Sequence, residues 1–561
     1  MKRAIRWLAG TAAVIGVIAI GLWQFGAGLP GLLSSLRNPV EAYHPVVWQK
    51  GPAVLPAISS RPPPGRPPPD RPPNVILIVA DDLGFNDISL NGGGVAGGLV
   101  KTPNIDSIGH DGVTFTTAYA GNATCSRSRA ALMTGRYPTR YGFEFTAVPG
   151  AFARVVGHAG GDSPVPVIYH GELNHDLIDY PEMGVPSSEV TIADVLRQRG
   201  YHTIHLGKWH LGEADRIAPH GHGFDESLGF RAGGSKYLHQ RDPDVVNAKL
   251  PWDPIDKFLW PNLPYAVQYN NGQRFEPNEH MTDYLTDNAI EAIEANRNRP
   301  FFMYLAYNAP HTPLQATTAD YNALSMIGDH KTRVYAAMVR QLDRRIGDVL
   351  AKLRTFGLDK NTLVIFTSDN GGAWYTGIPD LNKPYRGWKA TFFEGGVRVP
   401  MLMRWPGHIA AGTRSPTWAS HLDIFSTVAA VTGAKMPADR VMDSVDILSG
   451  VVPGLPPAMR TAPLFWRSGD YRVVRDGDWK LQVSGRLRKM WLYNLATDPT
   501  EQSNLVDQQP AKVAQLKSEI AAHNARMAKP LWPGLIEAPI RIDVPLNAPW
   551  SNNQDYIYWT N

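Results

Sequence analysis

Side chains with catalytic and metal-binding chemistry follow four predicted buried strands, each at the point where the strand ends. Asp81 and Asp82 follow the apolar run 75–80, and the other strand ends carry, in chain order, Lys208 with His210, His311, and Asp369 with Asn370. Because the carboxyl ends of parallel strands meet at one edge of a sheet, we expect these groups to share a site. Taken singly, Asp81-Asp82 also fits a turn or helix cap, and each histidine also fits a packed or surface position.

The acidic and amide groups of that edge form an oxygen-only set of candidate metal ligands. Three carboxylates, from Asp81, Asp82 and Asp369, and the amide oxygen of Asn370 suit Ca²⁺ or Mg²⁺. Zinc prefers nitrogen and sulfur ligands, so the set argues against it. The sequence therefore predicts a site for a hard divalent cation.

Basic side chains are expected to surround an anionic ligand opposite the metal. They are Lys208, His210, His311 and, further along the chain, Lys389. A positively lined pocket that also holds a divalent cation is typical of enzymes that hydrolyse a phosphate or sulfate ester, because the charges stabilise the transition state.

The single cysteine of the chain, Cys125, lies in the segment "NATCSRSRAALMTGR", residues 122–136. We predict a helix that begins near Cys125, with Thr124 as its cap, and ends near Gly135. A helix N-terminus binds anions and lowers the pKa of a thiol, so the pattern makes Cys125 a candidate nucleophile, oriented by Arg129 one turn later. The alternative is that Cys125 is a small buried residue of the helix.

Strands that alternate with amphipathic helices must position these residues. Buried strands are predicted at 75–80, 201–206, 301–307 and 362–367. Helices are predicted at 188–200, with a capping box of Thr191 and Asp194, and at 333–356, with one apolar face. The pattern predicts an α/β fold with a large doubly wound, mixed or parallel sheet flanked by helices.

The C-terminal part of the chain has a different pattern of predicted strands and helices. Two short strands within 471–484, another at 489–495 and a helix at 509–527 predict a smaller subdomain of an antiparallel sheet plus a helix. We divide the chain into a signal or membrane-anchor segment (1–36), a Pro-rich linker (37–73), a catalytic α/β domain (74–455), the C-terminal α+β subdomain (456–527) and a tail (528–561). Residues 230–275 are predicted to form a long insert near the pocket mouth.

The N-terminus and the composition limit the location and the partners. Lys2, Arg3 and Arg6 precede the apolar run 7–23, which predicts an uncleaved membrane anchor or a removed signal peptide. In both cases the remaining chain is expected to be exported, into the periplasm or another extracytoplasmic space. The lone cysteine excludes an intramolecular disulfide. A formal charge of +4 over 561 residues argues against nucleic acid as a ligand.

From about Val75 to Asn504 the chain resembles the type I sulfatases of the alkaline phosphatase superfamily. The most specific match is "CSRSRAALMTGR", which is similar to the family signature Cys-x-Pro-x-Arg followed by Leu-x-Thr-Gly. Further blocks match in the family's order: "ADDLG", "GKWHLG", "HTP", "SDNGG", "GWKATFFEGGVRVP" and "LYNLATDPTEQSNL". The resemblance implies a sulfuric ester hydrolase, arylsulfatase-like, that acts on aryl or carbohydrate sulfates.

The resemblance also implies how the site is completed. A formylglycine-generating enzyme oxidises the signature cysteine, here Cys125, to formylglycine, whose hydrate is the nucleophile and is held by Arg129. The implied Ca²⁺ ligands are Asp81, Asp82, Asp369, Asn370 and the modified Cys125, with Mg²⁺ as the less favoured ion.

The resemblance assigns proton and anion roles to the basic residues. Lys208 and Lys389 would contact the sulfate oxygens, with Lys389 near the leaving oxygen. His311 would protonate or hydrogen-bond the leaving group, and His210 would take a proton from the second hydroxyl of the hydrate. The implied partners are a small-molecule or glycan sulfate ester, the modifying enzyme during maturation, and the membrane through the N-terminal segment.

One residue departs from the family signature: Arg127 stands where the signature has Pro. Because the other blocks are intact, we expect Cys125 still to be converted. Two other functions stay open: a phosphonate or phosphodiester hydrolase that uses the same fold and nucleophile, and a catalytically silent sulfate-ester-binding protein whose Cys125 is not converted.

Overall fold

The structure of the protein, a computed structural model, describes residues 39–52, 71–158, 164–452, 460–551 and 553–561. Its strands, numbered in chain order, are β1 (Val40–Glu41), β2 (Asn74–Ala80), β3 (Val113–Tyr119), β4 (Ile168–Tyr169), β5 (His202–Lys208), β6 (Glu226–Phe230), β7 (Val245–Ala248), β8 (Val267–Tyr269), β9 (Arg274–Phe275), β10 (Phe301–Ala306), β11 (Leu314–Thr317), β12 (Thr362–Ser368), β13 (Met401–Arg404), β14 (Thr413–Ser420), β15 (Leu464–Ser468), β16 (Tyr471–Asp476), β17 (Trp479–Ser484), β18 (Lys489–Asn494), β19 (Ile536–Arg541) and β20 (Tyr556–Thr560). The α-helices are α1 (Val95–Gly98), α2 (Pro103–His110), α3 (Cys125–Thr134), α4 (Gly150–His158), α5 (Ile192–Gln198), α6 (Pro254–Asn262), α7 (Met281–Ala295), α8 (Thr318–Asn322), α9 (His330–Thr355), α10 (Glu394–Val397), α11 (His421–Thr432) and α12 (Pro510–Asn524).

The main sheet has eleven strands in the order β1-β9-β8-β6-β5-β10-β2-β12-β13-β3-β14. Its centre is parallel, because β5, β10, β2 and β12 pair side by side in the same direction. β13 runs antiparallel to both β12 and β3. The prediction of a large mixed α/β sheet is confirmed.

The central strand β2 shows why these apolar runs lie in the middle of the sheet. Its odd-numbered residues Val75, Leu77 and Val79 belong to the hydrophobic core on one face, and Ile76 and Ile78 belong to the core on the other. A strand with a helical layer on each face needs apolar side chains at every position.

Helices fill both faces of the sheet with the predicted periodicity. The apolar side of α9 packs into the core that holds Ile76 and Ile78, and it consists of Val334, Met338, Leu342, Ile346, Val349 and Leu353. α5 begins after Thr191, whose side chain and that of Asp194 form the expected capping box. α5 and α11 pack on the opposite face of the sheet.

The smaller C-terminal sheet is antiparallel, in the order β15-β16-β17-β18, and α12 covers one of its faces. The predicted strands within 471–484 and at 489–495 and the predicted helix are all present, and β15 adds a strand that the sequence did not indicate. The prediction of a small antiparallel subdomain with a helix is confirmed.

The tail 528–561, in which no periodicity is readable from the sequence, contains two strands. β19 and β20 pair with each other and, through β19, with β4 in a three-stranded sheet. Ile557 and Trp559 of β20 are buried against the catalytic domain. Pro539 inside β19 and the short length of both strands hide the alternation that marks a strand.

The predicted N-terminal anchor, residues 1–36, lies outside the described residues, and so does most of the Pro-rich linker. The described part of that linker, 39–52, adds β1 to the sheet edge parallel to β9, and Trp48 is buried. Within the described ranges, every helix is too short or too polar to cross a bilayer.

Candidate active site

The strand register brings the predicted functional residues to one edge of the main sheet. β2 pairs with β12 so that Ala80 lies opposite Ser368, and the acidic residues that follow each strand therefore emerge side by side. Lys208 is the last residue of β5, two strands away. This arrangement agrees with the expectation that the strand ends share a site.

Four of the predicted residues form a buried group that can hold a metal ion. Ligand atoms of Asp81, Asp82, Cys125 and His311 all lie within 4.8 Å of one another. The Cys125 sulfur is 3.5 Å from Oδ1 of Asp81 and 3.7 Å from Oδ1 of Asp82. Two carboxylates that meet in a buried pocket repel each other unless a cation lies between or beside them.

Two lysines supply part of that positive charge. Lys208 donates to Oδ2 of Asp81 over 2.6 Å, and Lys389 donates to Oδ2 of Asp82 over 2.8 Å. Burial by itself favours the neutral form of Asp81, but Lys208 and the neighbouring basic groups outweigh it and hold the pKa of Asp81 well below its ordinary value. Both carboxylates are therefore ionised.

Arg129 connects the helix of Cys125 to the strand end of Asp369. Its Nε donates to Oδ2 of Asp369 over 2.9 Å, and a second guanidinium nitrogen lies 2.8 Å from the same oxygen. The backbone N–H of Asp82 donates to the other oxygen of Asp369 over 3.2 Å. Burial, and next the charge of Asp81, raise the pKa of Asp369 to about 6.

Asn370 contacts the acidic group through its amide nitrogen and has a side-chain oxygen without a protein partner. Its Nδ2 donates to Oδ1 of Asp82 over 2.8 Å and to the carbonyl of Gly371 over 2.9 Å. Its Oδ1 is buried and has no hydrogen-bond partner among the described residues. A buried amide oxygen costs free energy unless it is paired, and a hard cation beside Asp82 would pair it.

The two predicted histidines both line the cavity but differ in their contacts. His311 Nδ1 lies 2.5 Å from the carbonyl of Thr312, and its Nε2 faces Oδ2 of Asp82 at 3.7 Å. His210 Nε2 lies 3.2 Å from the carbonyl of Ala147. Burial lowers the pKa of His311 to about 4 and that of His210 well below its ordinary value, so both rings are neutral near pH 7.

Tyr375 belongs to the site but was missed by the sequence analysis. Its hydroxyl donates to Oδ2 of Asp82 over 2.8 Å and lies 3.2 Å from Lys389 Nζ. Tyr375 follows the predicted "SDNGG" turn in a single 3-10 turn, Trp374–Thr376, which is too short to show a periodic signal that could have identified it.

The helix of Cys125 has the predicted bounds but not the predicted thiol chemistry. α3 begins at Cys125 and ends at the left-handed Gly135, and Thr124 occupies the cap position without a side-chain cap hydrogen bond. Burial, and next the charge of Asp369, raise the pKa of the Cys125 thiol above its ordinary value. The predicted lowering of this pKa is wrong, because carboxylates and burial outweigh the helix dipole.

Arg127, at the proline position of the signature, is fully buried. Its Nε donates to Oγ1 of Thr124 over 2.8 Å, and one terminal nitrogen donates to the carbonyl of Glu144 over 2.8 Å. Its guanidinium also lies over the ring of Trp559. Burial lowers the pKa of Arg127 to about 9.

A cavity of about 1830 Å³ opens above the acidic group. Cys125, His210, His311 and Lys389 line it, together with much of the insert 230–275, as the sequence predicted, and with residues of β19 and β20. Aromatic rings in its wall include Phe152, Trp252, Phe258, Tyr265, Trp550 and Trp559. The cavity is large enough for several sugar rings or a polycyclic molecule.

Known proteins with the same features are sulfatases. Residues 73–434 match the family model described as Sulfatase. The chain is 34% identical over 416 residues to N-acetylgalactosamine-6-sulfatase of Mus musculus, with 73% of this chain and 72% of that protein covered. It is 31% identical over 452 residues to steryl-sulfatase of Rattus norvegicus, with 70% and 71% covered.

A solved structure has a fold similar to that of this protein. Ps i-CgsB in complex with k-i-k-neocarrahexaose superposes with a TM-score of 0.68 at 31% identity, over 82% of this chain and 95% of that one. The residues matched by the family model, 73–434, include the strands whose ends carry the acidic group. The chain therefore belongs to the sulfatase family and is a sulfuric ester hydrolase.

Proposed function

We propose that the protein hydrolyses carbohydrate sulfate esters, with a formylglycine made from Cys125 and a bound Ca²⁺. The observation that carries this proposal is the buried group of Asp81, Asp82, Cys125 and His311 within 4.8 Å at the floor of a wide cavity. The names of the relatives support the substrate class, since one acts on a sulfated amino sugar and a similar structure holds a neocarrahexaose.

The charges of the site suit a cation and an anionic substrate together. Three carboxylates, Asp81, Asp82 and Asp369, face three basic groups, Lys208, Lys389 and Arg129. These six charges cancel, so a bound divalent cation leaves a net positive site that attracts a sulfate ester. When bound, Ca²⁺ acts as a Lewis acid and lowers charge on the transferring group.

The donor set fits Ca²⁺ better once Cys125 is modified. Asp81, Asp82, Asp369 and the unpartnered Oδ1 of Asn370 are hard oxygen ligands. The thiol is a soft ligand and carries a raised pKa, so the unmodified Cys125 is both a poor ligand for Ca²⁺ and a poor nucleophile. When present, the formylglycine hydrate supplies one hydroxyl as nucleophile and a second through which sulfate can be released.

The other residues bind the substrate and handle its protons. Lys208 and Lys389 hold the sulfate oxygens. Their ammonium groups lie at the acidic group, where they pair with Asp81 and Asp82 and are close to the candidate metal ligands. His311 directs Nε2 at the same place and hydrogen-bonds the leaving oxygen. His210, neutral and with an unpartnered Nδ1 among the described residues, also lines the cavity and accepts a proton.

The direct test is to make the chain with and without a formylglycine-generating enzyme and to measure both modification and turnover. We expect mass analysis of the tryptic peptide 102–127 to show loss of the thiol, and hydrolysis of N-acetylgalactosamine 6-sulfate to appear only in the converted protein. Cys125→Ala should lose all turnover, because no other group of the site is a nucleophile.

Parallel assays separate the competing functions. Faster hydrolysis of a phenyl phosphonate ester than of any sulfate ester would contradict the proposal and favour the phosphonate hydrolase. A fully unmodified Cys125 in protein from the native host, with retained binding of sulfate esters, would favour the silent binding protein. Steroid sulfate turnover above sugar sulfate turnover would refute the substrate class alone.

Maturation and location follow from the same proposal. Cys125 is 3% exposed in the folded chain, which supports conversion before folding is complete. The basic residues before the apolar run 7–23 support export, with the segment 1–36 acting as signal or anchor. Detection of the protein in an extracytoplasmic fraction, with or without residues 1–36, would decide between these two forms.

A further inference from the structure

Lys236 is a cation in the wall of the cavity that no acidic group neutralises. Its side chain lines the cavity and is partly buried, and within the described chain it has no ion pair. Burial lowers the pKa of its ammonium from the ordinary value of 10.5, and no neighbouring carboxylate opposes that effect. A partly buried ammonium without an acidic partner is unfavourable, and a bound anion would stabilise it.

Each of the other charged groups of the cavity wall is influenced by an opposite charge or accepts backbone hydrogen bonds. Arg231 donates to Asp215, Glu276 lies 3.0 Å from His239, and Lys389 donates to Asp82. Asp253 accepts two backbone N–H groups at the start of α6, at Ile255 and Asp256. Arg274 and Glu213 form no ion pair among the described residues, but the charge of Glu213 raises the pKa of Arg274 against the larger effect of burial.

The segment that carries Lys236 is fixed against both active-site histidines. A Cβ atom placed on Gly233 would lie 2.8 Å from the His210 ring, and one placed on Gly234 would lie 4.0 Å from Cε1 of His311. The backbone N–H of Lys236 donates to the carbonyl of Pro264 over 2.9 Å. The Tyr237 hydroxyl donates to the carbonyl of His311 over 2.9 Å. The backbone of Lys236 is therefore fixed in a segment that contacts both histidines, and its side chain lines the same cavity as they do.

We propose that Lys236 forms a second anion-binding position, so that the preferred substrate is a glycan sulfate with a further sulfate or carboxylate close to the ester that is cleaved. This inference rests on the proposed function, since it assumes that a sulfated sugar occupies the cavity. An ammonium in the cavity wall without an acidic partner selects a second anion, whereas a steroid or simple aryl sulfate has no group to place there.

Calorimetric binding to the Ca²⁺-loaded Cys125→Ala protein tests Lys236 without turnover. The ligands are N-acetylgalactosamine 6-sulfate, N-acetylgalactosamine 4,6-disulfate, and a disaccharide that joins a uronate to N-acetylgalactosamine 6-sulfate. We expect one or both dianionic sugars to bind about tenfold more tightly than the monosulfate, as a partly buried charge pair provides. The better of the two identifies whether the second anion is sulfate or carboxylate.

Three variants in that background decide the assignment. Lys236→Met should remove the preference for the dianionic sugars and leave monosulfate binding unchanged. Lys236→Arg should keep the preference, and Lys257→Met, which removes an exposed lysine of α6 outside the cavity, should have no effect. An equal preference in Lys236→Met, or no preference in the parent protein, would overturn the inference.

The same ligands distinguish this failure from failure of the proposed function. Loss of the Lys236 effect with normal sulfate hydrolysis by the converted wild-type enzyme refutes only the second anion position. Absence of hydrolysis with an intact Lys236 effect refutes the enzyme mechanism while the anion position stands.

Discussion

The guanidinium carbon of Arg127 lies 4.5 Å from the centre of the Trp559 ring. A residue in the first turn of the signature helix is thus covered by the last strand of the chain. The same guanidinium donates to Thr124 and to the carbonyl of Glu144. Where the family signature has a proline, this protein therefore has a buried cation that joins α3 to the C-terminal residues.

Trp559→Ala should lower the free energy of unfolding by about 4 kcal/mol, because it leaves a cavity and a buried cation without its aromatic partner. Urea unfolding measures the change. A double-mutant cycle with Arg127→Met should give a coupling of about 1–2 kcal/mol. Trp479→Ala, at a partly buried tryptophan of the small sheet, is the control and should cost less. Additive effects of the two substitutions would show that the contact contributes nothing.

Calcium should stabilise the folded protein even where turnover is absent. At a Ca²⁺ concentration a hundredfold above the dissociation constant, the expected gain is about 2.7 kcal/mol, read as a rise in Tm. Asp82→Asn should remove this rise, because Asp82 contacts both Asn370 and Lys389 at the candidate ion site. Asp507→Asn, at an exposed carboxylate, should keep it. An unchanged Tm of the wild type with Ca²⁺ would argue against the metal site.

Two adjacent glycines give a matched test of the position of His210. A methyl group on Gly233 would lie 2.8 Å from Cε1 and Nε2 of His210, whereas one on Gly234 meets Leu263 at 3.4 Å, an ordinary contact. Gly233→Ala should therefore displace the imidazole and lower kcat by about a hundredfold, since displacements of this size carry such costs. Gly234→Ala should leave kcat within about threefold. Equal kcat values for the two variants would exclude a positional requirement for His210.

The folding stability should fall in mild acid because of His523. Burial, and next Arg140, lower its pKa to about 3 in the folded chain, and its ring stacks 3.9 Å from that of Phe465. In the unfolded chain His523 has a pKa near the ordinary 6.5 and binds a proton that it does not bind in the folded chain. The free energy of unfolding therefore decreases as the pH falls below 6.5.

Between pH 7.5 and pH 5, protonation of His523 in the unfolded chain lowers the free energy of unfolding by about 2 kcal/mol. Urea unfolding of wild type and His523→Phe at both pH values measures it, because phenylalanine keeps the stacking and does not titrate. The variant should lose about 2 kcal/mol less than the wild type over this range. Parallel pH dependence of the two proteins would mean that His523 is not the titrating group.

The strands that position the site were predictable because both of their faces are buried. In β2, β10 and β12, apolar runs mark the strand and polar residues mark its end, whereas β5 mixes polar and apolar residues and has Lys208 as its last residue. Asp81, Lys208 and Asp369 were found in this way. The parallel register then brings them together without any further information from the sequence.

The features that the sequence did not predict depend on contacts between distant segments. Tyr375 reaches Asp82 from a single 3-10 turn, and β20 reaches α3 from the end of the chain. The thiol pKa of Cys125 was wrongly predicted because it is set by burial and by Asp369, which lies far along the chain. No local pattern reports such neighbours.

The position of Trp559 in the chain has a consequence for the order of events during synthesis. Trp559 lies more than four hundred residues after Arg127, so its ring can cover the guanidinium only after the segment between them has been synthesised. The segment around Cys125 is synthesised more than four hundred residues earlier, and until Trp559 has been made it cannot pack on that segment. If Cys125 is modified during synthesis, as proposed, the folding of β20 onto α3 ends the period in which a modifying enzyme can reach the signature helix.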